Sequence, residues 1–139
     1  MNQLVFLILY FCMSTPINSH FNVTFTHLPH NEGTVHVLLF NQPDGFPNTP
    51  SKAYRSFKVP ISNGKADLSI KGLPVGIYAI STFHDHDGDG LFRTGPFGIP
   101  KDPYGFSNDV RGVFGPPAFE KAAFTLKEAP RKMSIRMRL

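Results

Sequence analysis

The feature that most restricts the fold is an alternation of apolar and polar residues that recurs in short runs. At the C-terminus Met133, Ile135, Met137 and Leu139 alternate with Lys132, Ser134, Arg136 and Arg138. Near the start Phe21, Val23 and Phe25 alternate with Asn22, Thr24 and Thr26. A period of two sends successive side chains to opposite sides of an extended chain, so each run makes a strand with one core face and one solvated face. The same pattern appears at Val35, Val37 and Leu39, and at Ala122, Phe124 and Leu126. It also appears at Ala66, Leu68 and Ile70, which follow Asn63-Gly64, a hairpin signal. A short segment at 56–59 and a more continuous apolar run at 77–83, suggesting a central strand, complete the set. No stretch shows a helical period of useful length. About seven strands with Gly- and Pro-rich connections predict an all-β fold, a single antiparallel β-sandwich.

A length of 139 residues fits one domain with its own core. The first residues differ in kind: 4–13 is unbroken and apolar, and Ser14, Thr15, Pro16, Ile17, Asn18 and Ser19 follow. That run is too short to span a bilayer and has the layout of a secretory leader. Residues 1–19 are therefore read as a signal peptide, 20–139 as the β-sandwich domain, and the mature protein as exported, periplasmic or secreted, and not transmembrane. Cleavage near Ser19 would remove Cys12, the single cysteine, leaving no disulfide to brace the fold. The formal charge of +4 belongs to the later residues, since 1–19 carry no charged side chain. Arg131, Lys132, Arg136 and Arg138 make up much of it, but their interleaving with Met and Ile describes the wet face of a strand. The interleaved aromatics of a nucleic-acid binder are missing, so no nucleic-acid partner is expected. The expected state is a monomer with an unknown protein or envelope partner.

Chemistry concentrates at His84-Asp85-His86-Asp87-Gly88-Asp89-Gly90-Leu91. A loop curling round a cation can turn every second side chain inward, and three converging carboxylates repel one another unless a hard cation neutralises them. Asp85, Asp87, Asp89 and Gly90 match the first half of a calcium loop. The second half fails, because an EF-hand needs Glu at its twelfth position, where Pro96 stands, and Arg93 occupies the ninth. A smaller calcium site remains, built from Asp85, Asp87, Asp89, the carbonyl of Leu91 and an oxygen from Asp102, Asn108 or Asp109. The competing reading is an acidic turn whose side chains only accept hydrogen bonds from nearby amides. A different metal reading uses His84 and His86, which share a face of an extended segment, with His20 at the new N-terminus as a further donor, to bind copper, zinc or nickel.

The segment 85–118 is long for a loop in a compact domain, which calls for a bound ligand or for buried aromatics of its own. Phe92, Phe97, Tyr104, Phe106 and Phe114 are the aromatics available, either as a miniature core or as an adhesion surface. Neither Ser81 nor Ser107 lies in a nucleophile signature, no glycine loop suits phosphate, and the clustered carboxylates suit a cation better than an acid–base pair. No catalytic activity is expected.

Several short motifs occur in order: Gly72-Leu73-Pro74-Val75-Gly76-Ile77-Tyr78-Ala79, Phe83-His84-Asp85 with Gly88-Asp89-Gly90, Gly98-Ile99-Pro100-Lys101, Tyr104-Gly105-Phe106-Ser107-Asn108 and Gly115-Pro116-Pro117-Ala118-Phe119. On these the chain resembles a bacterial exported family, the domain of unknown function 2141. The resemblance implies an exported single domain similar to transthyretin-like (prealbumin-like) and carboxypeptidase-regulatory-like sandwiches, with no known activity. Members of that family usually carry an acidic residue a few positions beyond the glycine, where this chain has Leu91-Phe92-Arg93; if that residue completes a metal shell, Arg93 puts a positive charge in a ligand's place and the site is weakened or lost. Asp102 resembles the family's acidic position after Pro-Lys.

Overall fold

The computed structural model describes residues 19–139; the apolar run 4–13 and Cys12 lie outside the described residues. In chain order the strands are β1 (His20–Thr26), β2 (Thr34–Phe40), β3 (Arg55–Pro60), β4 (Ala66–Lys71), β5 (Gly76–Asp85), β6 (Tyr104–Phe106), β7 (Phe124–Leu126) and β8 (Arg131–Arg136), all but β6 overlapping the runs the sequence marks. One layer has the order β4-β1-β8; the other runs β3-β2-β5-β6, with β7 pairing to β5. The result is an all-β sandwich. It differs from the expectation in strand number and in the direction of one pairing. The described residues form eight strands, β6 being the addition, and β1 pairs with β8 in parallel while the other pairings are antiparallel.

The inner faces supply the main core. Phe21, Val23 and Phe25 of β1 and Val35, Val37 and Leu39 of β2 are buried, joined by Ile70, Tyr78, Ile80, Leu126 and Ile135. Each such side chain contributes about 1.5–3 kcal/mol on burial, which is why the alternation dictates the layers. Ser19 is also buried and its Oγ donates to the Leu73 carbonyl.

The Asn63-Gly64 turn forms, with both residues at positive φ and Ser62 and Lys65 exchanging backbone hydrogen bonds, but the hairpin that the pair signals does not. The strands it joins then diverge, β3 into one layer and β4 into the other. Ala122, expected in a strand, ends the short helix α1 (Phe119–Ala122). That helix covers the outer face of the larger sheet, where Phe40, Ala79, Phe106, Phe119 and Ala122 form a second core.

β5 positions the site. Its odd-numbered residues face outward and its even-numbered residues face the main core, so Asp85 and His84 at its end point to opposite sides. β2 runs antiparallel beside it, pairing Thr34 with Asp85 and His36 with Phe83.

Candidate metal centre

At the outer side of the β5 end, Asp85 is only 2% exposed. Gly88 and Gly90 each have positive φ, which folds the chain back so that their N–H groups donate to Asp85 Oδ1 and Oδ2 at 3.1 and 2.9 Å. His36, one step diagonal across the ladder, places Nε2 3.1 Å from Asp85 Oδ2. Burial of the imidazole lowers the His36 pKa from its ordinary 6.5, outweighing the opposing pull of Asp85. A polar residue between Val35 and Val37 on a buried strand was the available sequence signal for His36, but only the ladder register pairs it with Asp85.

Asp87 and Asp89 form successive side-chain turns: Asp87 Oδ1 accepts from the Asp89 N–H at 3.4 Å, and Asp89 Oδ1 from the Leu91 N–H at 2.9 Å. One oxygen each from Asp85, Asp87 and Asp89 can be chosen so that all lie within 4.8 Å of one another. The expected convergence is therefore present. So are the features of the acidic turn, because each carboxylate already accepts a backbone N–H. The N–H bond from Asp89, ahead of the charge on Arg93, lowers the Asp87 pKa from its ordinary 3.8.

Arg93 occupies the outer side of this cluster. Its Nη1 lies 3.3 Å from Asp87 Oδ2, and its Nη2 donates to Asp102 Oδ1 at 2.8 Å. Asp102 is 2% exposed, and its Oδ2 also accepts the Arg93 backbone N–H at 2.8 Å. The paired carboxylate raises the Arg93 pKa further above its already high value. Asp102 is thus bound to the guanidinium, whereas the sequence suggested a metal ligand. Asn108 and Asp109 are also elsewhere: Asn108 Nδ2 donates to the Ala123 carbonyl at 2.8 Å, and Asp109 Oδ1 accepts the Arg136 N–H at 2.8 Å. Asn108 and Asp109 thus tie the long segment to the sandwich, while Asp102 closes a loop within it.

The segment 85–118 is organised by its own bonds. Lys101 N–H donates to the Arg93 carbonyl, and Gly95 N–H to that of Ile99, closing a small loop whose neck is the Arg93–Asp102 pair. Phe92 packs against Phe83 and Tyr104, and Tyr104 against Phe106, with ring centroids 5.6, 6.1 and 5.8 Å apart. Of the loop aromatics only Phe106 is buried, as part of the second core; Tyr104 is half-buried, Phe92 is 40% exposed, and Phe97 and Phe114 are fully exposed, so the expected miniature core does not close. Ser107 is buried, donating from Oγ to the Ala122 carbonyl and accepting from the Ile80 N–H, a structural arrangement.

On the opposite side of the strand end, His84 is fully buried and its Nε2 bonds the Glu32 carbonyl at 2.8 Å. His86 is exposed and reaches Glu32 Oε2 at 3.3 Å. His20 does not join them. It pairs with Lys71 at the first position of β1, whereas His30 follows that strand's last residue, Thr26. His20 and Thr26, at the two ends of β1, are roughly 20 Å apart, and His30 lies four residues beyond Thr26. His30 and Glu32, which sequence reasoning overlooked, lie beside His86 instead.

A family model described as "Uncharacterized protein conserved in bacteria (DUF2141)" matches residues 23–134, nearly the whole sandwich. The chain belongs to this family. No curated protein and no solved structure matches it. Membership of DUF2141 accords with the ordered motifs around Asp85 and Tyr104, and places the Arg93–Asp102 pair inside the matched span. Among the described residues no helix is long and apolar enough to cross a membrane.

Proposed function

We propose that this chain is an exported, non-catalytic β-sandwich module whose aspartate loop takes one calcium ion, weakly, through Asp85, Asp87 and Asp89. The observation that carries the reading is the convergence of three carboxylate oxygens within 4.8 Å on a loop turned by Gly88 and Gly90. Oxygen-only ligands of this charge suit calcium, and the millimolar calcium outside cells fills even a weak site. Export itself rests on the apolar run 4–13. Weakness follows from Arg93, a positive charge 3.3 Å from Asp87 that already neutralises part of the cluster. The module's role would be structural, the loop presenting its exposed rim to a protein or envelope partner.

A ligand that binds only the folded chain stabilises it by about 2.7 kcal/mol at a hundredfold excess over Kd. Thermal melts in chelator and in millimolar calcium should therefore separate, and the separation should vanish in Asp87→Ala. Superimposable melts for the native chain would leave an acidic turn neutralised by Arg93 and overturn the calcium reading.

A further inference from the structure

We propose a second, separate metal site on the other side of the β5 end, in which His30, Glu32 and His86 bind one zinc-class divalent ion. Ligand atoms from these three exposed side chains lie within 4.8 Å of one another. The pair His86 Nε2 and Glu32 Oε2 is 3.3 Å apart. Zinc–nitrogen and zinc–oxygen bonds of about 2.0–2.2 Å put neighbouring corners of a tetrahedron about 3.3 Å apart, so one edge of the shell already has its length. The remaining approach, by at most about 1.5 Å, is within the rotation of an exposed His30 ring, which lies 4.9 Å from that of His86 between centroids. Two imidazoles and one carboxylate are a donor set that zinc uses, with a fourth position left to water.

The backbone beneath the ligands is held in place. His30 and Glu32 sit on the 27–33 connection, where Leu28 N–H donates to the Gly64 carbonyl and Asn31 Oδ1 accepts the Gly64 N–H. Gly33 presses this connection onto the β5 end: a Cβ there would stand 2.0 Å from the Asp85 carbonyl oxygen, and its φ of +77° also favours glycine. His84 fixes Glu32 from below. A carbonyl only accepts, so His84 Nε2 carries the hydrogen toward the Glu32 oxygen. In the neutral ring Nδ1 is then a bare lone pair, and it is buried with no hydrogen-bond partner among the described residues. That ring neighbours both candidate ligands, 5.9 Å from His86 and 6.4 Å from His30 between centroids. A buried imidazole with an unmatched acceptor, beneath two exposed imidazoles and a carboxylate, is unexplained as packing and suits a metal-binding patch. His84 is a positioning residue here, since it holds the Glu32 backbone.

In the metal-free form the His86–Glu32 contact needs a hydrogen on Nε2; when zinc takes that place, a neutral ring carries its one hydrogen on Nδ1 instead, and a charged ring keeps the Nδ1 hydrogen and releases the other as a proton. No redox step is involved, and the site is independent of calcium at Asp85, Asp87 and Asp89.

The test is calorimetric titration of the untagged full chain with zinc, backed by cobalt absorption as a report on geometry. The expected result is one saturable zinc per chain and tetrahedral-type cobalt bands. His30→Ala and His86→Ala should each weaken zinc binding at least tenfold while leaving the melt in chelator unchanged. His20→Ala and Asp87→Ala should leave zinc binding as it was. Absence of saturable binding, or binding that survives His30→Ala and His86→Ala together, overturns the proposal. Loss of binding in Asp87→Ala alone would assign the zinc to the aspartate loop and overturn it as well.

Discussion

The two sides of the β5 end carry similar numbers of ligand-type side chains but in opposite states of satisfaction. On the outer side, Asp85 accepts from Gly88 and Gly90 and touches His36, Asp89 accepts from Leu91, and Asp87 accepts from Asp89 and meets Arg93. On the other side, among the described residues, His30, Glu32 and His86 share one polar contact, of 3.3 Å, beside a His84 Nδ1 with no hydrogen-bond partner. Carboxylates within a loop can always find local amides, because the turn that brings them together also exposes N–H groups. Imidazoles and a glutamate brought together by separate segments have no such donors at hand. The more recognisable motif is thus the one whose hydrogen-bonding needs the protein itself largely meets, and the less recognisable cluster is the more open to a ligand.

The largest expected effect comes from removing the buried member of the satisfied side. Asp85→Ala strands two amide donors and His36, and should lower stability in chelator by about 2–4 kcal/mol in a denaturant titration. His30→Ala in the same buffer should change it by about 0.5 kcal/mol or less. Equal effects would abolish the contrast. Next comes the clamp at the loop neck: Asp102→Ala should cost about 1–3 kcal/mol, since it removes the acceptor of the Arg93 backbone N–H from a buried position. Arg93→Gln should also destabilise the chelated protein and should enlarge the calcium-induced rise in Tm, because it takes a competing positive charge away from Asp87. A calcium response that shrinks would show that Arg93 orders the loop rather than opposes the ion.

A smaller effect concerns pH. Burial lowers the His36 pKa below 6.5 in the folded chain, so the unfolded chain takes up the proton first as the solution is acidified. Stability from this group is fully present above about 6.5 and is lost as pH falls through the folded value. In chelator, a pH series of unfolding free energies should show this fall, and His36→Gln should flatten it. Asp87, also lowered, contributes with the same sign at more acid pH, its share lost as pH drops below 3.8 through the folded value. The smallest effect is that of Asp89→Ala. In chelator it should stay within about 0.5 kcal/mol, as expected for a surface side chain, while removing the calcium response.

Much of the fold was legible because alternation is a local property. Phe21, Val23 and Phe25, or Val35, Val37 and Leu39, announce a buried face whatever lies opposite. β6 was not legible, because Tyr104-Gly105-Phe106 is too short to show a period and is extended only through pairing. β5 lies along one edge, and Arg138 exchanges backbone hydrogen bonds with Tyr104. At Gly105 a Cβ would come within 2.8 Å of Ile135, so the glycine permits the two layers to meet there. Asn63-Gly64 was read correctly as a turn, yet nothing local says that its two strands part into different layers. In the site, the carboxylate convergence was legible from the spacing of Asp85, Asp87 and Asp89, whereas the fate of Asp102 was not. A residue nine positions from Arg93 becomes its partner only when the intervening chain folds back.

From the sequence alone came the all-β class, the central place of the 77–83 run and the turn chemistry of the aspartate loop. Each of these depends on spacing between near neighbours, and extended geometry converts such spacing directly into position. Tertiary structure alone decided that Arg93 stands against Asp87 and Asp102, that His36 meets Asp85, and that His86 has His30 and Glu32 rather than His20 for company. Those contacts join residues from different strands and connections. Electrostatic and ligand chemistry depends on distances of a few ångströms, and across such separations only the register of the sheet and the path of the connections set those distances.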